Sequence, residues 1–136
     1  MIDRLKGPIL HHAVGKTIES IVVDTGDAPH VTNQSGNGAL TIRFSDGTGI
    51  VIADDYSMCC ETRYMSTDDD LSAFVGARLV GAEVREGPTT ELGNDDAAHE
   101  TAFLVVMTSL GAFTCVTHNE HNGYYSGFAI RVSTVE

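Results

Sequence analysis

Short apolar runs separated by turn-forming residues constrain the fold of this chain more than any other feature. Apolar side chains recur at every second position in residues 39–44, and residues 49–53 form a second apolar run. Side chains that alternate in this way lie on one face of a β-strand. The Asp46-Gly47 pair between the two runs is typical of a tight hairpin turn, because both residue types tolerate positive φ. The sequence therefore predicts a β-hairpin at this position.

Apolar or alternating runs recur along the rest of the chain and predict further strands. These runs lie at residues 16–24, 58–64, 78–86, 101–110, 112–118 and 128–132. The run at residues 101–110 is apolar almost throughout, which is typical of a central strand buried on both faces. Residues 25–38 and 87–98 have the composition of exposed loops. We expect one β-rich domain of the α+β class, with about seven strands in a single antiparallel sheet or a partly closed barrel.

Two segments have the pattern of short helical structure. Residues 9–14 follow Pro8, and proline suits the first turn of a helix. Residues 66–76 begin with Ser66 and Thr67 as candidate N-caps, and the aspartates that follow favour the positive end of a helix dipole. We expect the second segment to be the one short helix that packs on the sheet.

Charge and hydrophobicity limit the partners and the compartment. The chain has 8 Lys and Arg against 19 Asp and Glu, a formal net charge of −11 at pH 7. This charge repels nucleic acid polymers and anionic membranes, so we expect neither as a partner. The N-terminus lacks the apolar run of a signal peptide, and no segment is long enough to span a bilayer. Three cysteines, of which Cys59 and Cys60 are adjacent, favour reduced thiols, so we expect a soluble cytoplasmic protein.

The densest group of recognition-type side chains lies near the C-terminus. Residues 119–127 contain two asparagines, a histidine, two adjacent tyrosines and two glycines between predicted strands. The Asn122-Gly123 pair favours a turn, which would present the tyrosines beside the predicted strand at residues 58–64. We interpret this stretch as one wall of a binding pocket.

These residue types suit a phosphate or nucleotide pocket. Arginines or backbone amides would bind the phosphate, aromatic rings would stack on a base, and asparagine would contact the edge of the base. We expect Arg63 to bind phosphate and one of the tyrosines to stack. The full set of expected ligand-binding residues is Glu61, Arg63, Tyr64, Asn119, His121, Asn122, Tyr124, Tyr125 and Arg131.

Patterns for catalysis and metal binding are weak in this chain. Six histidines and three cysteines supply zinc-ligand types, but no Cys-x-x-Cys, His-x-x-x-His or His-Glu-x-x-His spacing occurs. We therefore expect no metal, no cofactor and no catalytic residue. Cys59 or Cys60 could act as a nucleophile with His118 or His121 as its base, although the commoner role of such cysteines is apolar packing, which we expect for Cys115.

Two motifs relate the chain to a known kind of protein. A Cys-Cys-Glu motif at residues 59–61 precedes an acidic segment and a strand, and an Asn-Gly-Tyr-Tyr-Ser motif at residues 122–126 precedes the final strand. In this order of elements the chain resembles a family of small uncharacterised proteins common in phages and bacteria. The resemblance implies a phage-related origin and action in the cytoplasm of the bacterial host.

Three functions are compatible with these observations. The first is non-catalytic binding and sequestration of a small nucleotide-like signal. In size and setting the chain is similar to phage counter-defence proteins that act as sponges for cyclic nucleotide or cyclic ADP-ribose signals. The alternatives are an acidic inhibitor that binds a basic surface of a host enzyme, and a cysteine-dependent hydrolase. We expect a homo-oligomer, since small pockets often form between subunits.

Overall fold

The computed structural model describes residues 2–26, 38–55, 62–91, 98–121 and 127–135. Within these residues the chain forms nine strands, one α-helix and one 3-10 helix, and neither helix is long and apolar enough to cross a membrane. The α-helix, α1, comprises Pro8–Ala13, and the 3-10 helix comprises Leu71–Phe74. The strands are β1 (Ile2–Arg4), β2 (Ile18–Asp24), β3 (Ala39–Phe44), β4 (Gly49–Asp54), β5 (Thr62–Ser66), β6 (Leu79–Glu91), β7 (Ala98–Thr108), β8 (Gly111–His121) and β9 (Ile130–Thr134).

The described strands form two antiparallel sheets. One sheet has five strands in the order β1-β6-β7-β8-β5, and the other has four in the order β2-β3-β4-β9. The prediction of a β-rich antiparallel fold is confirmed, but the prediction of a single sheet or a partly closed barrel is wrong. Alternation indicates which face of a strand is buried, but it does not indicate which strands share hydrogen bonds, so it does not determine the number of sheets.

One hydrophobic core contains buried side chains of both sheets. Leu104 and Val106 of β7 belong to it, as do Leu40 and Ile42 of β3, and all four are fully buried. One face of each sheet therefore packs against the other sheet, as in a β-sandwich. Val105 is also buried, so three consecutive residues of β7 are buried, as predicted for a central strand.

The predicted hairpin is confirmed as the connection between β3 and β4, which pair in antiparallel register. Gly47 has φ of 89°, a left-handed conformation that glycine adopts without steric strain. The Asp46 carboxylate accepts a hydrogen bond of 2.9 Å from the backbone N–H of Thr48. Local turn chemistry was therefore sufficient to predict this element.

The helix expected at residues 66–76 is much shorter than predicted. Ser66 is the last residue of β5, and the helical part is the single 3-10 turn Leu71–Phe74. Asp70 caps this turn, since its carboxylate accepts hydrogen bonds from the N–H of Ser72 at 3.2 Å and from its hydroxyl at 2.6 Å. An aspartate side chain that binds the local backbone in this way is favoured at the start of a helical turn, and the backbone is extended again at Val75.

Two predicted loops begin later than the sequence indicates. β6 continues to Glu91, into the acidic segment, and residues 92–97 lie outside the described part of the chain. β8 continues to His121, so Asn119 lies in a strand rather than in a loop. Hydrogen bonding to neighbouring strands extends both elements past the point where their side chains become polar.

Candidate functional site

An inner polar cluster lies at one end of the core, on the inner face of the five-stranded sheet. Alternation places four of its side chains there, because they continue the inward-facing positions of β5, β7 and β8 beyond the last apolar residues, and Asp54 continues those of β4 in the other sheet. The cluster consists of the side chains of Asp54, Arg63, Glu100, Asn119 and His121 and the backbone of residues 127–129.

Arg63 connects the two sheets in this cluster. Its Nη1 donates hydrogen bonds to Asp54 Oδ2 at 2.6 Å and to the carbonyl of Gly127 at 2.7 Å. The Arg63 and Asp54 side chains are 1% and 0% exposed, and the guanidinium lies 5.8 Å from the ring centre of Phe128. Asp54 Oδ1 also accepts the N–H of Ala129 at 3.0 Å. This environment favours a role for Arg63 in positioning residues 127–129 rather than direct contact with a phosphate in solvent.

Glu100 is held by one of its two carboxylate oxygens. Oε1 accepts hydrogen bonds from His121 Nε2 at 2.7 Å and from the N–H of Gly127 at 3.0 Å, and Asn119 Nδ2 lies 3.5 Å away. No described residue donates a hydrogen bond to Oε2. The Glu100 side chain is 19% exposed, so the carboxylate is fixed in orientation but still reaches solvent.

A pocket of about 260 Å³ opens beside Glu100. Among the described residues that line it, Glu86 and Glu100 are acidic and Phe128 contributes an aromatic ring. The other described lining residues are Val84, Gly87, Thr89, Thr101, Ala102 and Gly127. Such a pocket suits a small ligand with a flat ring and hydrogen-bond donors on its edge.

A second polar group, the outer-face cluster, lies on the opposite face of the same sheet. Tyr64 stacks on His118, with ring centres 4.3 Å apart and an interplanar angle of 9°. The Tyr64 hydroxyl donates a hydrogen bond of 2.5 Å to Glu120. His118 also lies 2.7 Å from the Ser66 hydroxyl and 2.9 Å from His99 Nε2. Three strands, β5, β7 and β8, therefore contribute to one hydrogen-bonded group.

Burial and neighbouring groups shift two pKa values in the outer-face cluster. Burial raises the pKa of Tyr64, and the hydrogen bond to the Glu120 carboxylate raises it further, so the phenol stays protonated and donates. Burial lowers the pKa of His118, and the nearby His99 lowers it further, while Glu120 acts in the opposite direction. His118 is therefore neutral at pH 7 and one of its ring nitrogens can accept a proton.

The structure separates the predicted site residues by face. Arg63 pairs with Asn119 and Tyr64 with His118 in the β5–β8 ladder, so the two strands are neighbours. Arg63, Asn119 and His121 point to the inner face, whereas Tyr64 belongs to the outer-face cluster. One pocket cannot contain the side chains of both Arg63 and Tyr64.

The remaining predicted site residues are exposed or lie outside the described residues. Arg131 of β9 forms an ion pair of 3.2 Å with Asp55, and the two side chains are 71% and 70% exposed. The predicted residues that lie outside the described part of the chain are Glu61, Asn122, Tyr124 and Tyr125.

Sequence reasoning missed Glu100 and Phe128 in the pocket and His99 in the outer-face cluster. Their positions follow from alternation along β7, where Glu100 shares a face with the buried Ala102 and His99 points the other way. That signal identifies the face of each side chain, but it does not identify the neighbours across the sheet. The pairings of β7 with β6 and β8 were needed for that.

Thiol and metal chemistry find little support in the described residues. Cys115 is fully buried, and burial raises the pKa of its thiol to about 11, which disfavours the reactive thiolate at neutral pH. Cys59 and Cys60 lie outside the described residues. Among the residues that the structure describes, no group of three or more His, Cys, Asp and Glu side chains is arranged to hold a metal ion.

Comparisons with known proteins point to one family. A protein-family model described as a domain of unknown function, DUF7448, matches residues 11–130, which include both polar clusters. No curated protein and no solved structure matches the chain.

Proposed function

The chain belongs to the DUF7448 family, and we propose that it binds and sequesters a small nucleotide-like signal without converting it. The observation that carries this proposal is the arrangement of Glu100. One oxygen of its carboxylate is held by His121 and Gly127, and the carboxylate lines a pocket that also contains the ring of Phe128. Orientation of an acceptor beside an aromatic ring is the chemistry that recognises a nucleobase.

The base of the ligand occupies the pocket in this proposal. Its amino and ring N–H groups donate hydrogen bonds to the Glu100 carboxylate, as base edges do to acidic side chains in other proteins. Phe128 packs on the face of the base. Arg63 contributes indirectly, because its hydrogen bond to the Gly127 carbonyl holds the segment that carries Phe128.

The phosphate groups of the ligand face outward in this proposal. The net charge of −11 and the acidic pocket wall disfavour a buried phosphate. Arg131 is exposed, and its ion pair with Asp55 at the protein surface contributes little to stability. Arg131 can therefore exchange this carboxylate for a phosphate at low cost.

A phage counter-defence role in the bacterial cytoplasm and a homo-oligomeric state complete the proposal. The resemblance of the chain to small phage proteins supports the first. The volume of about 260 Å³ supports the second, because it is below the usual range for a pocket that encloses a whole ligand. A second copy of the chain would complete the enclosure.

A panel of cyclic mononucleotides, cyclic dinucleotides and cyclic ADP-ribose tests the proposal by thermal shift and by mass spectrometry of ligand released on heating. We expect one class to raise Tm and to be recovered unchanged. Glu100→Gln should weaken its binding about 10- to 100-fold, because hydrogen bonds to a charged acceptor are lost. Glu19→Gln, at an exposed position of β2, is the matched control.

Two results would contradict sequestration. If no member of the panel changes Tm, the pocket does not bind nucleotides of this kind. If the recovered nucleotide is chemically altered, the protein is an enzyme rather than a sponge.

Inhibition of a host enzyme is the second candidate function, favoured by the net charge of −11 and the exposed run Asp68, Asp69 and Asp70. A basic surface on a partner protein would be attracted to this charge. A triple variant tests this function, in which Asp68, Asp69 and Asp70 are each replaced by asparagine. It should weaken capture of a basic partner and leave the thermal shift with nucleotide intact.

A further inference from the structure

We propose that Ser66, His118 and His99 form a nucleophilic site that takes up acyl groups from small esters. The site lies on the outer face of the five-stranded sheet, opposite the face that carries Glu100 and His121. It is therefore independent of the proposed ligand pocket, and neither proposal depends on the other.

The three side chains form a continuous hydrogen-bonded chain. Ser66 Oγ lies 2.7 Å from His118 Nε2, and His118 Nδ1 lies 2.9 Å from His99 Nε2. These distances allow the Ser66 hydroxyl to donate to His118 while His118 Nδ1–H donates to His99. A hydroxyl bound to an imidazole that a third group orients is the arrangement of an activated serine nucleophile.

The surroundings of His118 keep its ring in place and neutral. Tyr64 of β5 stacks on one face of the ring, His99 of β7 contacts a nitrogen at its edge, and Glu120 lies on its own strand. Among the residues that the structure describes, these three are the titratable groups that face His118. Burial and the proximity of His99 lower the pKa of His118, so it can accept a proton at neutral pH.

The site is also accessible to a small reagent. Ser66, His99 and His118 are each half-buried, so solvent reaches this face of the sheet. The site is thus unlike Cys115, which is fully buried on the inner face.

The reaction proceeds in two balanced steps. Ser66 Oγ attacks the ester carbonyl carbon, its proton passes to His118 Nε2, and the bond between the carbonyl carbon and the leaving oxygen breaks as that oxygen takes the proton. An acyl-serine ester and an alcohol result. Water then attacks the acyl-serine, passes a proton to His118, and Ser66 leaves with that proton while the carboxylic acid is released.

The 4-nitrophenyl ester of acetic acid tests the proposal on the purified full chain. We expect release of 4-nitrophenol with transient acetylation of Ser66, located by peptide mass spectrometry. Ser66→Ala should abolish both signals, and His118→Gln should slow acylation by about 100-fold or more, the usual contribution of a general base. Ser133→Ala, at an exposed position of strand β9, is the matched control and should react as the unaltered chain does.

His99 is a positioning residue, and the pH profile of acylation tests its role. Because His99 lowers the pKa of His118, His99→Gln should move the midpoint of the acylation profile to higher pH. Unchanged nitrophenol release in Ser66→Ala, or acetylation at other residues alone, would overturn the proposal. Loss of thermal stability in Ser66→Ala without any acetylation of the unaltered chain would show that these hydrogen bonds only join the strands.

Discussion

The guanidinium of Arg63, in the five-stranded sheet, donates a hydrogen bond of 2.6 Å to the carboxylate of Asp54, in the four-stranded sheet. The two side chains are almost completely buried, so removal of either one would take a charged partner from the other inside the protein. The same two residues bind the backbone of Gly127 and Ala129. The ion pair therefore links sheet packing to the position of the segment that borders the pocket.

Replacement of one member of this pair should be strongly destabilising. We expect Arg63→Met to lower the free energy of unfolding by about 3–5 kcal/mol, because the buried Asp54 carboxylate loses its ion pair with the guanidinium. The double variant with Asp54→Leu should recover part of this loss in urea unfolding. Arg131→Met, which breaks an exposed pair, should cost less than about 1 kcal/mol. Equal effects of the two arginine substitutions would contradict this account.

A comparison of Gly38 with Gly47 should measure how much stability depends on the close approach of Gly38 to Met65. Both have positive φ, of 85° and 89°, so alanine strains the backbone at each by about 1–2 kcal/mol. A Cβ at Gly38 would lie 2.7 Å from the backbone nitrogen of Met65, whereas one at Gly47 meets nothing within 4 Å. We expect Gly38→Ala to be the more destabilising by roughly 1–3 kcal/mol in urea unfolding. Similar losses in the two variants would show that β3 can move away from β5.

His118 should make stability depend on pH below neutrality. Its pKa is lowered from 6.5 in the folded state, so the unfolded chain binds more protons in the window below 6.5. The stability that the neutral ring contributes is fully present above the pKa of His118 in the unfolded chain. It is lost as pH falls through the lower pKa of the folded state. We expect the free energy of unfolding to drop as pH falls below 6.5, and to drop less in His118→Gln. A folded pKa above 6.5 in an NMR titration would contradict the prediction.

Cys115 should resist alkylation in the folded protein. It is fully buried, and its thiol pKa of about 11 leaves little thiolate at neutral pH. We expect iodoacetamide at about pH 8 to leave Cys115 unmodified in peptide maps of native protein, and to modify it fully in urea. Rapid native modification would show that this part of the core opens readily.

Much of the local structure could be predicted from the sequence. The β3–β4 hairpin followed from the Asp46-Gly47 turn, and the burial of β7 followed from its continuous apolar run. The expected helix near Asp70 was too long, because Asp70 caps it only at Leu71 and the backbone is extended again at Val75. Turn chemistry and alternation act over a few residues, so they are visible in the sequence alone.

The candidate site was less predictable. Asn119 and His121 were identified as recognition residues, but their burial depends on the length of β8 and on its neighbours. Glu100 was missed because its partner His121 lies 21 positions away in the chain. Contacts of this kind depend on strand pairing, which alternation does not specify.

The sequence by itself determined where the main strands lie and which side chains share a face, because both depend on local backbone geometry. Only the tertiary structure decided that the strands form two sheets and that β5 lies beside β8. This arrangement of strands places Arg63 against Asp54 in the core and His118 between Ser66 and His99 on the outer face. The physical reason is that strand pairing and sheet packing depend on burial summed over the whole chain, which no short stretch of sequence contains.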